Sequence, residues 1–527
     1  MSKRATPRAP TADGAVVAVP PLLAVGELLT NNRQKLRREG RLLDRRWSEL
    51  RQEARLATVT AARKYLQERG EPVPAFDATG LILAGHQPEL FHPGVWVKNF
   101  ALNGLARKHG LTPLNLIVDN DTVKAAALRL PAPPNVTHPW PHVVSLPFDR
   151  WTGEIPYEEH RIQDSLFFNE FADRASAVLQ GWDFEPMLPA FWQEVRRAAS
   201  RGPLLGDSFA AARRTFERRW NCHNLEVPVS AICRTEPFAW FACHLLCDLP
   251  RFQNVYNDRV HQNRIAHGIR SRNHPVPDLI QEDGWYETPF WGWQAGQVRR
   301  GRLFARIASG QIELRAGIDT WPTLPGSSNS RSLLAAWQSL ELRGYKVRSR
   351  ALTNTLYARL FLADLFIHGI GGGKYDELTD EIIRHFYGVE PTEFLVLSAT
   401  RLLPLPIEPV QLEDRQRLAR LVRDIHWNPQ RHLDLASIPS LRAVYDEKQE
   451  WMRRQLAEAA GRRQRFAMLR SLTERLHEPL QDKERQLREK LARYEKQLEA
   501  NAVLRRRDYS FCLYPEETLR EFCTRFL

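Results

Sequence analysis

The hydrophobic pattern changes period several times along the chain. From Leu22 to Gly70, Leu28, Leu29, Leu42, Leu43, Trp47, Leu50, Leu56 and Tyr65 recur at threes and fours, with arginines and glutamates between them. That period predicts an amphipathic helical stretch, ended by Gly70 and the Pro72/Pro74 pair. Gly80-Leu-Ile-Leu-Ala-Gly85 is a short apolar run between glycines, the mark of a buried parallel strand. A polar turn, His86 to Gly94, leads into a predicted helix from Val95 to His109. Pro113 to Val118 reads as a second strand and runs into Asp119-Asn120-Asp121. Strand, helix and strand make a βαβ unit with a right-handed crossover. Ligands of such sheets bind at the carboxyl ends of the strands, where both polar clusters fall.

From 130 to 330 the pattern weakens. Pro131 to Pro141 reads as a link, with helical segments near 158–200 and 207–221. Short strands are predicted at Thr288–Trp293, Arg302–Ile307 and Gln311–Arg315, joined by Gly turns. A helix over 352–367 is expected before His368-Gly-Ile-Gly-Gly-Gly-Lys374, and another after it, to about Tyr387. Further on, Phe466, Leu469, Thr473, Leu476 and Leu480 alternate threes and fours, and Leu487, Leu491, Tyr494 and Leu498 continue the seam. This is a coiled-coil pattern. Pro479 should interrupt it, and a helix carrying Tyr445, Met452, Leu456 and Ala459 is the expected antiparallel partner. Residues 1–21, rich in Pro and Ala, read as a disordered lead-in rather than a signal peptide.

Composition narrows the picture. The 527 residues suffice for two or three domains, and 15 Trp and 24 Phe can fill a sizeable core. No apolar run reaches the roughly 18 residues of a membrane helix. The six cysteines are scattered without a compact zinc spacing, so they read as reduced, buried thiols of a cytoplasmic protein, and no metal is expected. The net charge of +13 is spread along the chain without a basic tail. Nucleic acid is therefore not the expected partner; an anionic or amine-bearing small molecule is.

Three clusters carry candidate chemistry. In the first, Gly85 and Gly94 let backbone approach a ligand, Gln87 and Pro88 shape the turn, and His86, His92 and Lys98 offer donors or positive charge. The helix start at Val95 offers free N–H groups to an anion; a simple turn capped by a histidine is the other reading. In the second, Asp119 and Asp121 are suited to an amine, a metal or general-base work, or to capping a helix. In the third, Gly371, Gly372 and Lys374 could cradle an anion. Tyr375 follows Lys374, so this is not a Walker loop, which needs Ser or Thr there; a tight interhelical turn is its alternative.

Taken in order, these pieces resemble the bacillithiol biosynthesis cysteine-adding enzyme family. Gly85-His-Gln-Pro-Glu-Leu-Phe-His-Pro-Gly94 resembles that family's loop after its first strand, and Asp119-Asn-Asp121 stands where the family has Asp-His-Asp. Gly371-Gly-Gly-Lys-Tyr-Asp-Glu377 is similar to its later Gly-rich turn, and Phe511-Cys-Leu-Tyr-Pro515 with Leu519-Arg-Glu521 to its C-terminal stretch. The chain departs from the family at His86, His92-Pro-Gly94, Asn120, Lys374 and Tyr375, changes that alter which ligand fits. The resemblance implies an α/β fold with a Rossmann-like core over 22–400 and a connecting region inserted at about 130–330. It also implies an antiparallel coiled coil over 401–510 and a tail, 511–527, packed back on the core. It further implies a ligase that joins cysteine to an amino-sugar compound, with ATP or ADP as nucleotide. In that reading His86, Asp119 and Asp121 are catalytic. Gly85, Gln87, Pro88, His92, Gly94, Lys98, Gly371, Gly372 and Lys374 bind substrate. The alternative is a non-catalytic assembly protein that forms a homodimer through the coiled coil.

Overall fold

The computed structural model describes residues 7–269, 276–297, 299–326 and 329–527. Two sheets organise the first four hundred residues. In chain order their main strands are β1 (Val16–Val19), β2 (Leu81–His86), β3 (Thr112–Ile117), β4 (Leu225–Pro228), β5 (Trp285–Gln294), β6 (Gly301–Ala308), β7 (Gln311–Ala316), β8 (Tyr345–Ser349), β9 (Leu365–His368) and β10 (Phe394–Ala399). The first sheet runs β1-β10-β9-β2-β3-β4. Its strands are parallel except for the edge strand β1, which pairs antiparallel with β10, Val16 opposite Ala399. The order grows outward from β2 on both sides, so it reverses between β2 and β9.

The helices used below are α1 (Val25–Leu36), α2 (Trp47–Glu68), α3 (Pro93–His109), α4 (Leu205–Arg219), α5 (Ile370–Ile382), α6 (Leu412–Trp427), α7 (Pro439–Arg453), α8 (Ala459–His477) and α9 (Gln481–Leu504). Strand alternation distributes β2 to two cores. Leu81 and Leu83 pack with Trp47 and Leu50 of α2, whereas Ile82 and Ala84 pack with Leu28 of α1 and Leu102 of α3. Both faces are covered, which is why β2 is continuously apolar. Pro93 in the first turn of α3 and the left-handed Gly110 after it (φ 63°) set the limits of that helix.

Several expectations need correction. The lead-in over 1–21 is not disordered at Val16–Val19, because this valine-rich tetrad pairs with the edge of β10; residues 1–6 lie outside the described residues. The helix expected over 22–70 is two helices, α1 and α2, with a short hairpin (Arg41–Leu42 with Arg45–Arg46) between them. The helix expected over 352–367 ends near Leu362, and Leu365–His368 is instead the strand β9 at the sheet centre. The run Leu360–Ile367, apolar except for Asp364, carries no period that separates helix from strand. The three strands expected between 287 and 315 correspond to β5, β6 and β7 of an antiparallel sheet that β8 completes.

The C-terminal helices pair in two antiparallel couples. Arg415 of α6 meets Glu495 of α9 at one end, while His426 meets Glu484 at the other. Arg475 of α8 likewise lies against Glu447 of α7. Pro479 sits in a 3₁₀ turn, Glu478–Leu480, that separates α8 from α9. Along the seam Leu476 and Leu480 are buried, Leu487 and Leu491 are half-buried, and Phe466 is 70% exposed. Beyond it, Phe511, Tyr514, Phe522 and Cys523 join a core with Trp96 and Phe100 of α3. Every cysteine is free, and all but the half-buried Cys247 are buried. No helix among the described residues is long and apolar enough to cross a membrane.

A buried charge network locks α4 to the sheet. Arg213 Nη1 donates to both Glu217 oxygens at 2.8 and 2.7 Å, and its Nη2 donates to both Glu226 oxygens at 2.7 and 2.8 Å. Arg214 bridges Glu226 and Glu71. Asn115 of β3 donates to Glu226 at 2.6 Å; Trp96 and Asn99 of α3 both donate to Glu217 at 2.7 Å. Glu226 is fully buried. Glu226→Ala leaves Arg213 with Glu217 alone and Arg214 with a Glu71 that Arg218 shares, one positive charge in excess, and should lower stability in urea by about 3–5 kcal/mol at neutral pH; a loss under about 1 kcal/mol would mean the network is solvated. Burial alone would raise the Glu71 carboxyl, but Arg214 and Arg218 hold it down at about 2 against an ordinary 4.5. Its stabilising contribution is therefore complete above 4.5 and lost as pH falls through about 2. Glu71→Gln should flatten that part of the acid-unfolding curve, read by circular dichroism; an unchanged curve refutes the assignment.

Candidate functional site

Lys98 stands at the reversal of strand order. It lies in the second turn of α3, with 4% of its surface exposed, and its Nζ donates to Gly85 O at 3.3 Å. Burial lowers its ammonium to about 8. Among the described residues it makes no ion pair. On the β9 side, a Cβ added to Gly369 would stand 4.0 Å from the Lys98 Nζ. Gly369 is the N-cap of α5 and brings no side-chain cap, and the next residues of the helix include the exposed Gly371 and Gly372. The first-turn N–H groups of a helix have no acceptor within it, so a buried cation and an uncapped, glycine-lined helix start lie together where open α/β sheets bind ligands.

His368 closes β9 beside them. Its Nε2 lies 2.9 Å from Asp376 Oδ2, which also accepts from Arg359 Nη1 at 2.6 Å. All three are buried. A Cβ on Gly372 would come 3.0 Å from His368 Nδ1, so a larger residue there would push the imidazole aside by a few tenths of an ångström. Lys374, expected in the same cradle, instead lines a separate cavity of about 430 Å³ with Val17, Val19 and Phe394.

A cavity of about 210 Å³ opens where the ends of β2 and β3 meet the second sheet. Gln87, Asn120 and Asp121 form one wall, and Trp291, Arg300 and Arg350 another. Gln87 Nε2 donates to Asp121 Oδ2 at 2.8 Å, and Arg300 Nη2 to Asp121 Oδ1 at 2.9 Å. Burial would raise the Asp121 carboxyl, but Gln87 and Arg300 hold it below its usual range. Arg300 and Arg350 both pack on the Trp291 ring, their guanidinium carbons 4.4 and 4.2 Å from its centre. Two buried polar atoms of these walls, Asn120 Oδ1 and Arg350 Nε, have no hydrogen-bond partner. Such atoms are rare and mark places where a further group is wanted.

Asp119 is not a partner of Asp121. It accepts from the backbone N–H and the hydroxyl of Ser230, at 2.9 and 2.5 Å, at the start of the short helix Val229–Cys233. Burial, then the nearby Glu158, pushes it up to about 7. Asp119 thus ties the end of β3 to the start of that distant helix rather than capping one that follows it, and Asp121 lines the cavity.

The loop 86–94 is tied down from within. His92 Nδ1 accepts from Gly94 N–H at 3.1 Å, and the His92 carbonyl accepts from Val95 N–H at 2.9 Å. The N–H groups expected to meet an anion at the start of α3 are therefore taken. Gly94 is needed for packing, since a Cβ would lie 2.1 Å from Ala399 O. Pro88 rests on α4, its Cγ 2.9 Å from a Cβ placed on Gly206. His86 and His92 line a cavity of about 510 Å³ together with Glu89 and Tyr157. Burial and then Lys98 push His86 down to about 3; burial and then Arg507 push His92 down to about 4. Both are neutral at pH 7. Burial, then Asp121, raises Glu89 to about 7.

Arg300, Trp291 and Arg350 carry no motif; Glu89 lies within the Gly85–Gly94 loop, and His368 and Asp376 flank the Gly-rich turn, but residue type alone did not single them out. Trp291 lies on β5 just past a bulge in its pairing with β6, Arg300 directly precedes β6, and Arg350 directly follows β8.

Lys98 generates a prediction with opposite signs for stability and binding. Its folded-state value, about 8, lies below the ordinary 10.5. Between those limits the unfolded chain holds a proton that the folded chain has released, so stability rises with pH across that window. Lys98→Met should stabilise the protein at pH 7 by about 1–3 kcal/mol in urea and abolish the rise above pH 8. A destabilised variant at pH 7 would show that Lys98 is already satisfied. No protein-family model matches the chain, and no curated protein matches it.

Proposed function

We propose that the chain is a ligase that joins an α-amino acid, cysteine by the family resemblance, to an amino-sugar or related amine. In this reading the parallel sheet is a Rossmann-like core and the C-terminal helices are an antiparallel coiled coil. One observation carries it: the cavity of about 210 Å³ that faces Asp121 and the unpartnered Asn120 Oδ1 toward Arg350 across an apolar floor of Val118, Leu279 and Leu352. An α-amino acid has an ammonium for the first pair, a carboxylate for the guanidinium and a small side chain for the floor. Lys98 and the first turn of α5 suit the anionic group of a second substrate or a nucleotide phosphate. ATP, when bound, would supply carboxyl activation. His86, neutral at pH 7, orients ligand atoms rather than carrying protons.

Calorimetry with L-cysteine should give a binding isotherm that Asn120→Leu and Arg350→Leu each weaken about tenfold, as loss of a buried polar partner of about 1.4 kcal/mol implies. Incubation with cysteine, a sugar amine and ATP should give an amide product by mass spectrometry. Binding without any product under these conditions overturns the ligase; absence of binding by any amino acid overturns the cavity assignment as well. The exposed Phe466 and half-buried Leu487 and Leu491 favour a second reading, a homodimer formed through the coiled coil. Leu487→Asp with Leu491→Asp should then yield monomers in light scattering, and a wild type that is itself monomeric removes that reading.

A further inference from the structure

Outside the crevice, the described residues hold one cluster with a metal-ligand donor set. His426 near the end of α6, His477 at the end of α8 and Glu484 in the first turn of α9 bring one donor atom each to within 4.8 Å of one another. Three elements converge because the 3₁₀ turn at Pro479 folds His477 back over the start of α9. His477 Nε2 hydrogen-bonds to Glu484 Oε2, and His426 Nδ1 lies 3.5 Å from Glu484 Oε1. Arg488 Nε donates to Glu484 Oε1 at 2.7 Å. The Glu484 side chain is 6% exposed and that of His426 45%, so the cluster has a buried floor and an open mouth.

We propose that His426, His477 and Glu484 form a zinc(II) site that pins α6, α8 and α9 together. Two imidazoles and one carboxylate are a zinc donor set, and water through the open mouth completes a tetrahedron. On binding, zinc takes the place of the His477–Glu484 hydrogen bond, and the neutral His477 ring coordinates through Nε2 with its proton on Nδ1. Arg488 keeps its hold on the second carboxylate oxygen and orients the first, as outer partners of metal ligands do. The nearby His432 is engaged with Asp424 at 2.9 Å and lies outside the donor set. The inference is independent of the chemistry in the crevice.

The test uses the full chain, stripped with a chelator and titrated with zinc(II) by calorimetry. Cobalt(II) absorption then reports the coordination. About one equivalent should bind, with the visible bands of a four-coordinate cobalt site. His426→Ala and His477→Ala should each weaken binding by more than tenfold, and Arg488→Ala by about tenfold. His138→Ala/His142→Ala, which removes an unrelated histidine pair with ring centres 4.3 Å apart, should change nothing. Undiminished one-equivalent binding in the His426→Ala/His477→Ala double variant overturns the site, as does absence of binding by the wild type. If Glu484→Gln fails to fold, His426→Ala, an exposed position, still decides the matter.

Discussion

The position of the crevice depends on the buried contact between Glu226 and the paired guanidiniums of Arg213 and Arg214. Glu226 lies on the edge strand β4, and its partners lie on α4. Through Glu217 the same network holds Trp96 and Asn99, so it also fixes α3. Lys98 and His92 ride on that helix. A rotation of α3 that released Glu217 would withdraw the Lys98 ammonium from Gly85 O and uncap the loop at Gly94. Buried ion pairs add little net stability against apolar replacements of the same shape, but they tolerate few alternative arrangements. Here that intolerance fixes one helix relative to one sheet, and with it the place where strand order reverses.

How much of this was legible in the sequence depends on how local each signal is. The β2–α3–β3 unit could be read because apolar runs bounded by glycine, proline and acidic residues lie within forty residues of one another. The flanking strands could not. β9 and β4 span only four residues each, too short to show a period, and β9 continues an apolar run that began in a helix. β1 depended on an edge supplied by β10, nearly four hundred residues away. The parallel sheet was thus visible at its centre and hidden at both flanks.

The candidate site divides the same way. Gln87 and Asp121 face ligand-sized space because the strand ends carry them there, which the βαβ pattern already implied. His92 lines the larger cavity but is spent on capping α3, and Asp119 lines neither cavity; local chemistry explains both. A histidine just before Pro93 is well placed to cap the helix it precedes, and Asp119 meets a serine hydroxyl at the start of another helix. The arginines and tryptophan of the second sheet follow from no local rule. Their approach requires the sheet to dock over the carboxyl ends of β2 and β3, a tertiary fact. The same holds for His426, His477 and Glu484, which a proline turn and an antiparallel pairing assemble from positions that share no spacing.

Energetics points to the crevice independently of any motif. Most buried charges in this protein are paired: Arg359 with Asp376 and Asp380, Arg348 with Glu158 and Glu341, Arg213 with Glu217 and Glu226. Lys98 is the counterexample, an ammonium held out of water by one carbonyl. Burying an unpaired charge costs several kcal/mol, and the downward shift of Lys98 records that cost. Asn120 Oδ1 and Arg350 Nε incur smaller penalties of the same kind nearby. A fold selected for stability alone would replace such groups with apolar ones of similar volume. Unpartnered buried atoms occur elsewhere too, at Arg359 and Asp376 for example, but Lys98, Asn120 and Arg350 lie near the carboxyl ends of β2 and β3, where a charged ligand would supply the partners and its binding free energy would include relief of that cost.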